Sequence, residues 1–180
     1  MRIYGNRQIL TVPSQAVRPT PARVREAVFN IWRDRLPDCR WLDLCAGNGS
    51  MGAEALCRGA ASVTGVEKWG KAIRVVQQNW QQLAASNQSV TILRGEICKT
   101  LPKLQGQQFD LIYFDPPYAS DLYDPVLKAI ALLGLLHPDG ELAAEYSPRY
   151  WTPLNLATLE QYRQKQYGNT AIMFYRLTLK

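Results

Sequence analysis

Asp115-Pro116-Pro117-Tyr118 gathers the residue types best suited to chemistry in this sequence, directly after the strongly apolar stretch Phe109 to Phe114. Each proline fixes its own φ at about −65° and keeps its predecessor out of the helical region, so Asp115 and Pro116 are both held extended. Neither proline donates a backbone N–H, so the hydrogen-bonding groups at this turn are acceptors. Those are the Asp115 carboxylate and nearby carbonyls, with the flat face of Tyr118 beside them. A planar exocyclic amino group has two N–H donors and a lone pair delocalised into its ring. Acceptors that grip those hydrogens orient the nitrogen and help localise its lone pair, while stacking on Tyr118 contributes about 1–3 kcal/mol. The tetrapeptide thus fits chemistry on the amino group of a nucleobase, positioned for in-line attack and flipped out of any helix. It does not separate adenine from guanine, and a plain proline turn ending a buried strand has the same local form.

A second constellation lies earlier in the chain. Gly47-Asn48-Gly49-Ser50-Met51-Gly52 matches G-x-G-x-x-G between a strand and a helix, and Glu67 ends the next strand. Such glycines permit a tight turn and close backbone approach, and the carboxylate can accept hydrogen bonds from ribose hydroxyls. This supports a dinucleotide and any other adenosine-bearing cofactor equally. Asp43, in the strand beneath the loop, favours a cationic ligand such as an ammonium or a sulfonium and would repel a pyrophosphate. A chain of 180 residues also leaves no room for the separate substrate domain of most dehydrogenases, and His137 is its single histidine. An NAD-dependent oxidoreductase therefore explains the loop but leaves Asp43 and Asp115 to Tyr118 unexplained.

The elements that must position these groups follow from periodicity. Residues 2–12 read as short strands around Gly5-Asn6. Thr20 as N-cap and Pro21 at the first helical position open a helix whose apolar face carries Val24, Ala27, Val28 and Ile31. Strand and helix then alternate. Strands are expected at Trp41–Cys45, Ser62–Val66, Val90–Leu93, Phe109–Phe114 and Glu141–Tyr146. Helices are expected to about Arg58, from about Lys68 to Ala85, near Ile97 to Leu104, and from Leu122 to Leu133. Residues 161–167 and 171–179 alternate like an antiparallel hairpin around Gly168-Asn169. The expected fold is α/β, a mostly parallel sheet flanked by helices, with a short N-terminal extension. Ligands in such sheets bind outside the carboxyl ends of the strands, where Asp43, Glu67, Glu96 and Asp115 all fall.

Charge is distributed unevenly. The net charge is +6, and residues 1–40 hold eight arginines against Glu26, Asp34 and Asp38. Guanidinium groups grip phosphate bidentately and stack on bases, so this segment reads as an arm facing nucleic acid, with a solvated basic face as the plain alternative. The four cysteines form no C-x-x-C pair, so no metal site is expected. No apolar run approaches the roughly 18–20 residues of a membrane span, and the start of the chain lacks the apolar stretch of a secretory signal. A cytoplasmic protein that does not engage a membrane is the expectation.

Arg18-Pro19-Thr20 with Arg23-Val24-Arg25-Glu26-Ala27-Val28-Phe29-Asn30, the loop from Leu42 to Leu56, Asp115 to Tyr118, and Lys165-Gln166-Tyr167-Gly168-Asn169-Thr170 together resemble the RsmD-like family. These are Rossmann-like class I methyltransferases acting on small-subunit ribosomal RNA. The resemblance covers nearly the whole chain. It implies one methyltransferase domain over 1–180, with an arm at 1–38 and a Rossmann-like core at 39–180. It implies methylation of a guanine N2 amino group in 16S ribosomal RNA by a cytoplasmic enzyme, expected to be a monomer. S-adenosylmethionine would lie against Asp43, Ala46, Gly47, Gly49 and Gly52, with Glu67 on the ribose and Lys68, Glu96 and Ile97 beside the adenine. Asp115, Pro116 and Pro117 would hold the amino group and Tyr118 would stack on the base. Arg7, Arg18, Thr20, Arg23 and Arg25 would face RNA. Adenine-N6 methylation of DNA or RNA remains the alternative within the same chemistry, and a non-catalytic RNA-binding module the alternative outside it.

Overall fold

The sheet grows outward in both directions from two central strands, β1 (Arg40–Leu44) and β4 (Phe109–Phe114), which pair in parallel. The computed structural model describes residues 1–12 and 20–178. To one side of β1 lie β2 (Ser62–Glu67) and β3 (Ser89–Arg94), both parallel to it. To the other side of β4 lies β5 (Leu136–Tyr146), also parallel, followed by the antiparallel strands β7 (Thr170–Leu177) and β6 (Leu159–Tyr167). The full order is β3-β2-β1-β4-β5-β7-β6. The chain reverses its direction of growth between β1 and β4, and a crevice must open at the carboxyl ends of strands that diverge in this way.

Alternation along the strands sends side chains to two separate cores. Trp41, Val63, Leu111 and Tyr113 pack against α1 (Ala22–Ile31), α2 (Ser50–Cys57) and α3 (Gly70–Leu83). Leu42, Leu44, Val66, Ile112 and Phe114 pack against α4 (Ile97–Thr100), the 3-10 turn Leu101–Leu104, and α5 (Tyr123–Leu132). A parallel sheet buried on both faces is the outcome the sequence pattern predicts.

Three local expectations change. Residues 2–12 form no strands: one antiparallel bridge, Arg2 to Gln8, closes over a 3-10 turn at Tyr4–Asn6. Thr20 does not cap α1. Pro21, at ψ 140°, is the flanking residue, and its carbonyl accepts from the N–H groups of Val24 and Arg25. The Thr20 hydroxyl is engaged elsewhere, with Asp115. Strand β5 begins at Leu136, five residues before the expected start at Glu141. Among the described residues, no helix is long and apolar enough to cross a membrane.

Candidate active site

A cleft of about 1660 Å³ opens over the carboxyl ends of β1, β2, β4 and β5. Ligand pockets for single small molecules run about 300–1,000 Å³, so this space suits a cofactor together with a second group. Its lining includes Asp43, Ala46, Gly47, Glu67, Lys68, Glu96, Ile97 and the whole of Asp115-Pro116-Pro117-Tyr118. The two constellations that are far apart in sequence thus share one cavity.

The loop after β1 is shaped by backbone geometry and by one tryptophan. Cys45, Gly47 and Gly49 all have φ between 57° and 73°, the left-handed region that a non-glycine residue such as Cys45 occupies only under constraint. Gly47 lines the cleft, and its N–H donates to Glu67 Oε2 at 2.9 Å. Gly49 and Gly52 do not line it. A Cβ on Gly49 would fall 2.7 Å from Trp80 Nε1, and one on Gly52 would fall 2.4 Å from Trp80 Cζ2. Their part is therefore indirect, in that they admit the Trp80 indole, whose Nε1 donates to the Gly49 carbonyl at 2.8 Å. The Gly52 N–H donates to Asp43 Oδ2 at 2.9 Å and so ties the helix start to the carboxylate beneath the loop.

Among the described residues, five carboxylates line the cleft (Asp43, Glu67, Glu96, Asp115 and Glu145) against two cations, Lys68 and Arg149. Asp43 is only 2% exposed. Burial, with the nearby Glu67 charge adding to it, pushes its carboxyl up to about 7 against the opposing Gly52 hydrogen bond. Asp115 lies well above the usual carboxylate range for the same first reason, burial, followed by the charges of Glu145 and Asp43. Its Oδ2 accepts a long hydrogen bond from the Thr20 hydroxyl, 3.4 Å, which partly offsets that rise. Glu67 spends three lone-pair sites on backbone N–H groups, those of Gly47, Lys68 and Trp69, which fix its orientation while leaving acceptor capacity. Glu96 is exposed and paired with Lys99 at 2.7 Å, and that hydrogen bond holds its carboxyl below the usual range. Uncompensated buried carboxylates favour a positively charged ligand, so the donor set fits a sulfonium bearing an ammonium group and a ribose.

Sequence reading missed Glu145. It is 1% exposed at the end of β5 and lines the cleft. Its Oε2 accepts from the Tyr113 hydroxyl, its Oε1 accepts from the Tyr118 hydroxyl at 2.7 Å, and Tyr118 also meets the Thr170 hydroxyl at 2.9 Å. Tyr118 is thus anchored at its hydroxyl end, with its ring at the cavity wall. The missed signal was the strand-end rule itself, since Glu145 is a fifth acid at the end of an apolar strand.

The nucleic-acid residues divide differently from expectation. Arg25 is corrected: it is 4% exposed, with its Nε 2.6 Å from Glu54 Oε2 and its Nη2 donating to the Arg2 carbonyl. A guanidinium buried against a carboxylate is not available to phosphate. Thr20 is likewise buried and faces Asp115 rather than the exterior. Arg7 lies away from the cleft, in a small hollow with Cys57 and Gly59. Arg23 is exposed and donates to the Tyr167 carbonyl, joining α1 to the hairpin whose tip lines the cleft. Arg18 lies outside the described residues.

The family described as Conserved hypothetical protein 95 matches residues 1–176. The chain belongs to this family. Relatives named as ribosomal RNA methyltransferases match over nearly all of the sequence. Ribosomal RNA small subunit methyltransferase D of Haemophilus influenzae is 28% identical over 183 residues, covering 97% of this chain and 89% of the relative. The protein of that name in Escherichia coli K12 is 29% identical over 180 residues, covering 98% and 89%. Among solved structures, yhhF of Escherichia coli matches with a TM-score of 0.86 at 27% identity, over 100% of this chain and 99% of that one. TTHA0928 of Thermus thermophilus matches at 0.81 and 27%, over 98% and 99%. SMU.776, complexed with SAH, shares the fold at a TM-score of 0.64 and 13% identity, over 83% of this chain and 49% of its own.

Proposed function

We propose that this chain methylates the exocyclic N2 amino group of a guanine in small-subunit ribosomal RNA, with S-adenosylmethionine as cofactor. The observation that carries the reading is the single cleft holding Asp43, Gly47 and Glu67 at one side and Asp115 and Tyr118 at the other. Asp43 and Glu67 would hold the cationic and ribose portions of the cofactor, and Ala46, Lys68, Glu96 and Ile97 line the same part of the cavity. When bound, that cofactor supplies an electrophilic methyl group on a good leaving group. The protein therefore has little bond-making to promote beyond placement. Asp115 Oδ atoms accept the amino hydrogens, Pro116 offers a carbonyl without a competing N–H, and Tyr118 stacks on the base. As a carboxylate in contact with the amino hydrogens, Asp115 is placed to take the proton that the nitrogen sheds.

A guanine edge presents its N1–H and N2–H₂ donors side by side, which suits a cleft lined by the acidic side chains of Asp115 and Glu145. An adenine would turn its N1 acceptor toward one of them. The names of the relatives support ribosomal RNA of the small subunit as the substrate. Deleting the gene and mapping the lost ribosomal RNA modification by mass spectrometry tests the reading, with restoration in vitro by the purified chain and labelled cofactor. Loss and restoration of one N2-methylguanosine is expected; an unaltered modification map overturns the proposal.

A further inference from the structure

The cleft that would receive the target base is poorly suited to the backbone carrying it. Five carboxylates line it, and a phosphodiester strand is repelled unless cations meet it at the rim. Of the two lining cations among the described residues, Lys68 follows β2 on the cofactor side, whereas Arg149 follows β5, two residues past Ser147 and four past Glu145. Arg149 is exposed and joins no ion pair among the described residues. Its guanidinium stands 5.5 Å from the centroid of the Tyr150 ring. Tyr150 is 55% exposed and also lines the cleft. The other exposed large apolar side chains, Tyr4, Leu10 and Leu132, do not line it.

The turn that presents this pair is firmly held by its neighbours. The N–H groups of Tyr150 and Trp151 both donate to the Ser147 carbonyl, at 2.9 and 3.2 Å. Trp151 stacks on Tyr123 at 4.3 Å, meets Tyr146 edge-on at 5.2 Å, and donates from Nε1 to Asp124 at 3.0 Å. Trp151 anchors the segment, while Tyr150 projects its ring into solvent at the cleft mouth. An exposed aromatic face on an anchored turn, beside a guanidinium that joins no ion pair among the described residues, is the combination that binds a stacked base and its phosphate.

We propose that Arg149 and Tyr150 form a second nucleotide subsite, in which the base next to the target stacks on Tyr150 and its phosphate meets Arg149. This inference rests on the RNA reading above. It is tested with the full-length chain and the small-subunit RNA that the wild type methylates. Tyr150→Ala is expected to raise KM for RNA roughly tenfold, the loss falling on KM with kcat and cofactor affinity held. Tyr150→Phe, which keeps the stacking face, restores the wild-type KM. Arg149→Ala raises KM as well and lowers the slope of log affinity against log salt by about 0.7. Ultraviolet crosslinking of the wild-type complex, read by mass spectrometry, places a nucleotide adjacent to the target on residues 147–151 even if a variant folds poorly. An unchanged KM in folded Tyr150→Ala, or crosslinks confined elsewhere, overturns the subsite while leaving the methylation reading intact. A wild-type chain that methylates no small-subunit RNA overturns both.

Discussion

Asp43 and Asp115 face a common electrostatic difficulty, since each is desolvated and each stands near another carboxylate, Glu67 for Asp43 and Glu145 with Asp43 for Asp115. Asp115→Ala is expected to abolish methyl transfer while leaving cofactor affinity nearly unchanged, because on the proposed reading Asp115 meets the target base rather than the cofactor. Substantial turnover by that variant, measured with labelled cofactor, contradicts the role. Asp43 predicts a pH dependence. Its folded value of about 7 exceeds the ordinary 3.8, so between these limits the ligand-free folded chain holds a proton that the unfolded chain has released. The stability owed to this group is present below the lower limit and declines as pH rises through the upper one. A cationic ligand favours the carboxylate and expels that proton. Affinity for S-adenosylmethionine is therefore expected to weaken as pH falls below 7, with proton release on binding seen by calorimetry in buffers of different ionisation enthalpy. Asp43→Asn removes both effects; proton release that persists in that variant contradicts the assignment. The place of Asp115 and Tyr118 at the end of an apolar strand was legible in the sequence because prolines restrict the backbone locally. Glu145 obeys the same strand-end rule, but its pairing with two tyrosine hydroxyls, brought to it from β4 and the following turn, was not legible.

At the scale of elements, the arginine-rich arm shows what composition conceals. Arg25 shares a helix with Arg23, yet Arg23 is exposed and Arg25 is buried against Glu54. Counting charges cannot separate them. The available clue was Glu54, the single acid in the otherwise apolar and small-residue helix Ser50–Cys57, which also pairs with Arg58 at 2.8 Å. Removing one partner from a buried ion pair costs about 3–5 kcal/mol when the other is left alone, and less here because Arg58 still meets Glu54. Arg25→Ala is thus expected to lower the unfolding midpoint markedly without altering the salt dependence of RNA binding by the folded fraction. A flattened salt slope at unchanged stability would return Arg25 to the phosphate-facing set. The glycine loop carries a related lesson. Its spacing correctly marked a strand-to-helix turn, but Gly49 and Gly52 are required by Trp80, a contact from a helix some thirty residues on. Strand β4 matched its expected limits at both ends because a strongly apolar run bounded by polar residues and proline leaves little freedom.

For the molecule as a whole, strand order explains why residues so distant in sequence meet. Growth from β1 toward β3 and from β4 toward β6 opens the crevice where two loops with different tasks face each other. The alternation of strands and helices made that architecture readable; the cleft mouth at Ser147 to Tyr150 was not, because an irregular turn has no period and its importance comes only from where β5 ends. An acid-lined interior with cations at its edge would divide the labour between a cationic cofactor within and an anionic strand outside. The most direct test of this account is to incubate the purified chain with labelled S-adenosylmethionine and small-subunit ribosomal RNA from cells lacking it, digest the RNA to nucleosides and identify the labelled product. The account predicts N2-methylguanosine, absent with Asp115→Ala; label in N6-methyladenosine, or none in RNA, would contradict it.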